Sequence, residues 1–227
     1  MNPHTLQVLY EDNHLLAVNK SAGLATMGTP AGKPSLLEAA RGYLKERYQK
    51  PGNVYLGVVS RLDAPVTGVV LFARTSKAAR RLTQQFRTQT LQKRYWTLVE
   101  GKVTPGAGTW VDWIGQDERH RRMRIVGPTL PGAKEARLAY RRLRMVDDTS
   151  LLEIDLHTGR KHQIRLQLAH RGHPILGDRK YGGRRPFGDG IALHCRSLLI
   201  HHPSKPDVVA LEAPLPLSWQ EFGVIGS

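Results

Sequence analysis

The apolar positions divide this chain into short segments with two periods. Residues 6–20, LQVLYEDNHLLAVNK, carry two apolar runs separated by Asp12 and Asn13 and predict two short strands about a turn. Residues 21–34 are rich in Gly, Pro, Ser and Thr and predict a loop. In 34–48, Leu37, Ala40, Leu44 and Tyr48 recur at helical spacing, with Ser35 as N-cap and Glu38 completing an S-x-x-E capping box. Residues 54–73, VYLGVVSRLDAPVTGVVLFA, are almost continuously apolar, as a buried strand would be, apart from Arg61 and Asp63. Residues 75–90 predict a second helix, capped by Thr75 or Ser76, with Ala79, Leu82 and Phe86 on one face. The segment 93–103 alternates as a strand through Tyr95, Thr97 and Val99.

Four further strands are predicted at 109–115, 121–127, 135–146 and 150–158, joined by polar turns. A turn and a short helix follow over 159–172, with Gly172 as its stop. Two more strands are predicted at 191–203 and 207–216. Strands dominate and do not alternate with helices, which excludes Rossmann and β/α-barrel folds. The predicted class is α+β around one mixed or mostly antiparallel sheet with a few helices. No shift in composition forces a domain boundary.

Composition is that of an ordinary globular chain, 227 residues at 40% hydrophobic and 23% charged, but the charge balance is not. Lys plus Arg is 34 against 19 for Asp plus Glu, a formal net charge of +15. Such a field attracts polyanions, with RNA or DNA ahead of an anionic membrane surface. From Arg74 to Arg94 there are seven basic residues and no acid. No apolar run approaches the ~20 residues of a membrane-spanning helix, and the first residues lack the basic and apolar regions of a signal peptide. Cys195 is the only cysteine, so an intrachain disulfide and a thiolate zinc cluster are both excluded, and a reducing, cytoplasmic setting is expected.

Several residues are candidates for chemistry. Arg61 and Asp63 stand out because charged side chains are seldom buried unless paired. At strand period both point to one face, and a carboxylate held ionised in a dry site beside cations can act as a nucleophile. An edge ion pair is the structural alternative. In 158–165, TGRKHQIR, a turn through Arg160 is followed by His162, Arg165 and Ala169 on one helix face. Such a helix start suits an anion, and Arg165 could instead neutralise a buried acid; a solvated basic helix end is the plainer alternative. Tyr95, beside Lys93 and Arg94, is either core or a platform for an unpaired base. His157, His162, His170, His173, His194, His201 and His202 show no metal-ligand spacing. The stretch GHPILGDRKYGG lacks a P-loop ending, and Asp178 within it is expected to shape the loop. Arg119–Arg124 predicts a basic hairpin suited to phosphates.

Taken in order, VLYEDNHLLAVNKSAGL, SRLDAPVTG, KRYWTLVEG, LHTGRKHQIRLQLAHRGHPILGDRKYGG and LHCRSLLIHHP with EAPLP resemble the motifs of the RluA-type RNA pseudouridine synthases. The resemblance implies a single catalytic domain over 1–227, with a basic cleft and no preceding S4-type domain. It implies that Asp63 is the catalytic carboxylate, that Arg61 helps flip the target nucleotide or hold its phosphate, and that Tyr95 packs on the uracil. Arg165 would pair with Asp63, while Arg160, His162, Lys93 and Arg94 contact the RNA. No cofactor and no metal are implied, the partner is rRNA or tRNA, and the chain is expected to act as a monomer without a protein partner. Ser60 departs from the family's usual His, and Ala64, Pro65 and Val66 replace its usual Arg/polar/Thr run. Two other classes fit the charge: a catalytically silent RNA-binding protein on the same scaffold, and a hydrolase, which usually needs a second carboxylate or a metal.

Overall fold

The computed structural model describes residues 6–29, 33–120, 122–188 and 190–224. Arg121, part of the expected basic hairpin, lies outside the described residues. The fold is α+β, and the chain divides into two compact units. One comprises the residues up to Leu91 with Cys195–Leu215, and the other comprises Gln92–His194 with the residues from Pro216 on.

The first unit is a sheet of β1 (Gln7–Glu11), β2 (Leu15–Lys20), β4 (Thr67–Ala73) and β10 (Leu193–His201) in that order, with β3 (Gly57–Val58) on β4 and β11 (Val208–Glu212) on β10. The turn between β1 and β2 forms where expected because Asp12 accepts the backbone N–H groups of His14 and Leu15 at 2.7 and 2.8 Å. Helix α1 (Leu36–Arg47) starts in the predicted capping box, with Ser35 and Glu38 bonded reciprocally. Its Leu36, Ala40 and Leu44 pack on Leu16 and Val18 of β2 and on Val70 and Phe72 of β4. Helix α2 (Ser76–Thr88) is capped by Thr75, whose hydroxyl accepts from the N–H of Ala78. Gly68 (φ +111°) is required by close approach, since a Cβ there would lie 2.3 Å from the carbonyl oxygen of Cys195.

The expected strand over 54–73 is interrupted. Only the two residues of β3 and the seven of β4 pair, and 59–66 is a loop. Arg61 and Asp63 therefore do not share a strand face. The cause is local: Pro65 has no N–H to donate to a ladder, and Val66 N–H closes a turn on the carbonyl of Asp63 at 3.0 Å.

The second unit is an antiparallel sheet of β5 (Gln92–Glu100), β9 (Thr149–Leu156), β8 (Lys134–Val146), β6 (Ala107–Asp117) and β7 (Arg122–Val126), in that order. Helix α3 (Gln163–His170) packs Leu166 and Ala169 with Ile114, Ala136 and Tyr181. It ends as predicted, with Gly172 at φ +80° donating to the carbonyl of Ala169. It starts one residue later than expected. His162 has φ 55° and lies before the helix, so it does not continue the face of Arg165 and Ala169. Two single 3-10 segments, Arg179–Tyr181 and Leu217–Phe222, were not predicted.

Candidate active site

Asp63 sits on a loop anchored to the first unit from both sides. Thr26 holds Leu62 twice, its hydroxyl donating to the Leu62 carbonyl at 2.9 Å and accepting the Leu62 N–H at 3.1 Å. On the other side, Gly23 N–H donates to the carbonyl of Ala64 at 2.9 Å. Ser60, the departure from the family motif, accepts the backbone N–H of Leu71 through its hydroxyl at 2.8 Å and so fastens the loop to β4. Asp63 is half-buried, and Arg61 is exposed.

Lys20, at the end of β2, is the neighbour that sequence reasoning missed. Its side chain is 1% exposed. The ammonium donates to the carbonyls of Ser21, Leu24 and Ala64 at 2.9, 2.8 and 3.0 Å, using all three of its N–H bonds. Burial drives its pKa from 10.5 down to about 7, while the negative charge of Asp63 pulls it back up. The three carbonyls also favour the charged form, because a neutral amine would leave one of them without a donor. The available signal was a lysine ending an apolar strand and opening a Gly-containing loop, in VNKSAGL.

Arg165, in the second unit, is 5% exposed and pairs with Asp178, itself 1% exposed. Its Nε and Nη2 donate to the two carboxylate oxygens at 2.7 and 2.8 Å. The guanidinium also lies 5.2 Å from the ring centre of Tyr181, a cation–π contact. The Tyr181 hydroxyl in turn bonds the His162 ring at 2.8 Å and accepts the N–H of Met123 at 3.1 Å. Asp178 thus does more than shape its loop. The glycines of that loop are needed for backbone approach: a Cβ on Gly183 would meet the Ile175 carbonyl at 2.5 Å, and one on Gly177 (φ +81°) the Gly190 carbonyl at 2.5 Å.

Tyr95 is buried, 8% exposed, in β5 opposite Ile154. Lys93 reaches the turn before α3, its ammonium 3.5 Å from where a Gly159 Cβ would stand. Arg94 is matched to Asp155 at 3.4 Å and Glu153 at 3.6 Å. Arg160 donates through Nε to the carbonyl of Glu135 at 2.8 Å. The turn itself is held by Gln163, which accepts from Thr158 at 2.8 Å and from the Arg160 N–H at 3.0 Å. Asp63 and Arg61 belong to the first unit, and the other six named residues to the second. Among the described residues no cluster of three or more His, Cys, Asp or Glu side chains is placed to hold a metal ion.

Residues 14–170 match the RNA pseudouridylate synthase family, a stretch that includes Asp63, Tyr95 and Arg165. This chain belongs to the RNA pseudouridylate synthase family. It is accordingly an isomerase. It is 36% identical over 214 residues to an RNA pseudouridine synthase of Bacillus subtilis, a match covering 93% of this chain and 69% of the relative. It is 35% identical over 222 residues to the ribosomal large subunit pseudouridine synthase D of Nitrosomonas europaea, covering 93% of this chain and 62% of the relative. The fold is similar to that of the human RNA pseudouridylate synthase domain containing 4, with a TM-score of 0.79 at 24% identity, covering 96% of this chain and 93% of that one. Among the described residues no helix is long and apolar enough to cross a membrane.

Proposed function

We propose that this chain converts particular uridines of a structured rRNA or tRNA to pseudouridine, with the carboxylate of Asp63 as the covalent partner. The observation that carries the proposal is the seating of Asp63: a carboxylate on a loop fastened by Thr26, Ser60 and Gly23, in the field of a buried ammonium. A fixed acid needs no reorganisation when the reacting sugar arrives.

The atoms balance without a co-reactant. The carboxylate attacks C1′ as the N1–C1′ bond breaks, as one carboxylate does in retaining glycosidases. The freed uracil turns, C5 bonds to C1′, and the carboxylate leaves. The proton lost from C5 is balanced by the one gained at N1. The target base must first leave its stack, which costs a few kcal/mol. In this proposal Arg61 holds the displaced nucleotide's phosphate and Tyr95 packs on the uracil. Arg165 keeps the carboxylate ionised. Lys93, Arg160, His162 and Arg94 contact the RNA, Arg94 through its Nη groups while its Nε faces Asp155 and Glu153. The protein acts as a monomer, in the cytoplasm, without a protein partner.

Replacement Asp63→Asn tests it. Pseudouridine formation, read by mapping pseudouridines in RNA from cells lacking the gene after incubation with each protein, is abolished, while RNA affinity stays within about a few-fold of the parent. Undiminished turnover in the variant defeats the assignment of Asp63. Release of free uracil in place of isomerised uridine defeats the reaction.

A further inference from the structure

On the first unit, the outer side of α1 and the segment that follows it border an open hollow of about 480 Å³, lined by the exposed Arg41, Gly42, Lys45, Gly52, Asn53 and Tyr55 over the buried Val54. That volume falls within the roughly 300–1,000 Å³ of sites that hold a small molecule. Its chemistry is distinctive. Arg41 and Lys45 stand one helical turn apart, on one face of α1, and both are exposed. Neither has an ion-pair or side-chain hydrogen-bond partner among the described residues, and no acid lines the site. Of the two acids in the helix, Glu38 is committed to the capping box through Ser35, and Glu46 follows Lys45 but is not among the lining residues.

Tyr55 supplies the aromatic element. It is 50% exposed, unusual for so large an aromatic ring. Its position depends on Gly57, where an added Cβ would meet the Tyr55 hydroxyl oxygen at 3.0 Å and Cβ of Ala79 at 2.9 Å. The ring is therefore seated at its hydroxyl end, and half of the residue stays exposed. Two unmatched cations, an exposed ring and the amide of Asn53 converge on one hollow. Phosphates bind point charges, bases stack on aromatic faces, and an amide can hydrogen-bond a base edge.

We propose that this concavity is a second subsite for RNA, separate from the Asp63 loop, which holds an unpaired nucleotide with its base on Tyr55 and its flanking phosphates on Arg41 and Lys45. The subsite rests on the reading of this protein as an RNA enzyme, and it gives that enzyme a preference for targets that carry a single-stranded segment.

The test uses the full chain and two fluorescein-labelled probes, a short single-stranded RNA of mixed sequence and a duplex of the same sequence, with affinity measured across a salt series. For the double variant Arg41→Gln/Lys45→Gln, the slope of log affinity against log salt for the single strand becomes shallower by about 1.4, or about 0.7 for each phosphate no longer neutralised. For Tyr55→Leu, single-strand affinity falls by about 5-fold or more with the salt slope unchanged, and duplex affinity stays within about twofold. The variants lie on the surface, and circular dichroism of each should match the parent. Single-strand affinity and slope equal to the parent's in both variants overturn the subsite alone, because the parent still binds RNA. An equal loss on the duplex overturns the stacking of an unpaired base. A parent that binds neither probe overturns both the subsite and the RNA reading.

Discussion

Lys20 in the first unit and Arg165 in the second are both nearly withdrawn from water, at 1% and 5% exposure, yet they are stabilised in different ways. Arg165 is matched by a charge: two of its nitrogens donate to the two oxygens of Asp178, and Tyr181 covers its face. Lys20 is held by dipoles, the carbonyls of Ser21, Leu24 and Ala64, and its charge acts on Asp63 without an intervening counter-ion among those three partners. A bidentate pair fixes direction, which suits a planar guanidinium. Three carbonyls fix position and leave the electric field of the cation to be felt by the loop beside it. The first arrangement orients a side chain, and the second tunes the surroundings of a carboxylate.

The comparison is most severely tested at Asp178. Replacement Asp178→Asn takes the bidentate carboxylate from the buried Arg165 guanidinium and should cost about 3 kcal/mol of stability in urea unfolding. A loss comparable to that of an exposed pair would mean that Arg165 is not held by that carboxylate in solution. Next comes Lys20→Met, which leaves three carbonyls without their donor and should cost about 1–3 kcal/mol. Turnover should fall further than stability accounts for, while RNA affinity is retained. A variant with full turnover would show that Asp63 does not depend on the ammonium.

The smallest effect concerns pH. Lys20 binds its proton less tightly in the folded chain, at about 7, than at the ordinary value of 10.5. Between those values the unfolded chain binds more protons, so stability rises with pH, and below about 7 the cost of burying the charge is present in full. Relative to Lys20→Met, the parent should gain on the order of 1 kcal/mol per pH unit between pH 7 and 9 in urea unfolding. Parallel pH profiles would show that the three carbonyls keep Lys20 charged throughout that range.

Much of the architecture was legible in local pattern. The capping box at Ser35 and Glu38, the Thr75 cap, the Asp12 turn and the Gly172 stop all depend on groups within a few residues of one another, so spacing alone locates them. The 54–73 segment was misleading because an apolar run has the same appearance in a strand and in a half-buried loop. The break itself is local, at Pro65, but the loop it opens is held by Thr26, which lies 36 residues from Leu62. His162 was placed on a helix face by counting, but its left-handed backbone puts it outside the helix. The 3-10 turn at Arg179–Tyr181 carries no periodic signal, and the importance of Tyr181 arises from contacts with His162, Arg165 and Met123.

Local order along the chain by itself determined the helices, most strands, the basic character and the candidate acid, because capping, periodicity and net charge are properties of neighbours in sequence. Only the tertiary structure decided which polar groups are buried together. A lysine among three carbonyls, or an arginine on an aspartate 13 residues away, is selected by the loss of water around both partners, and desolvation is a property of the packed chain.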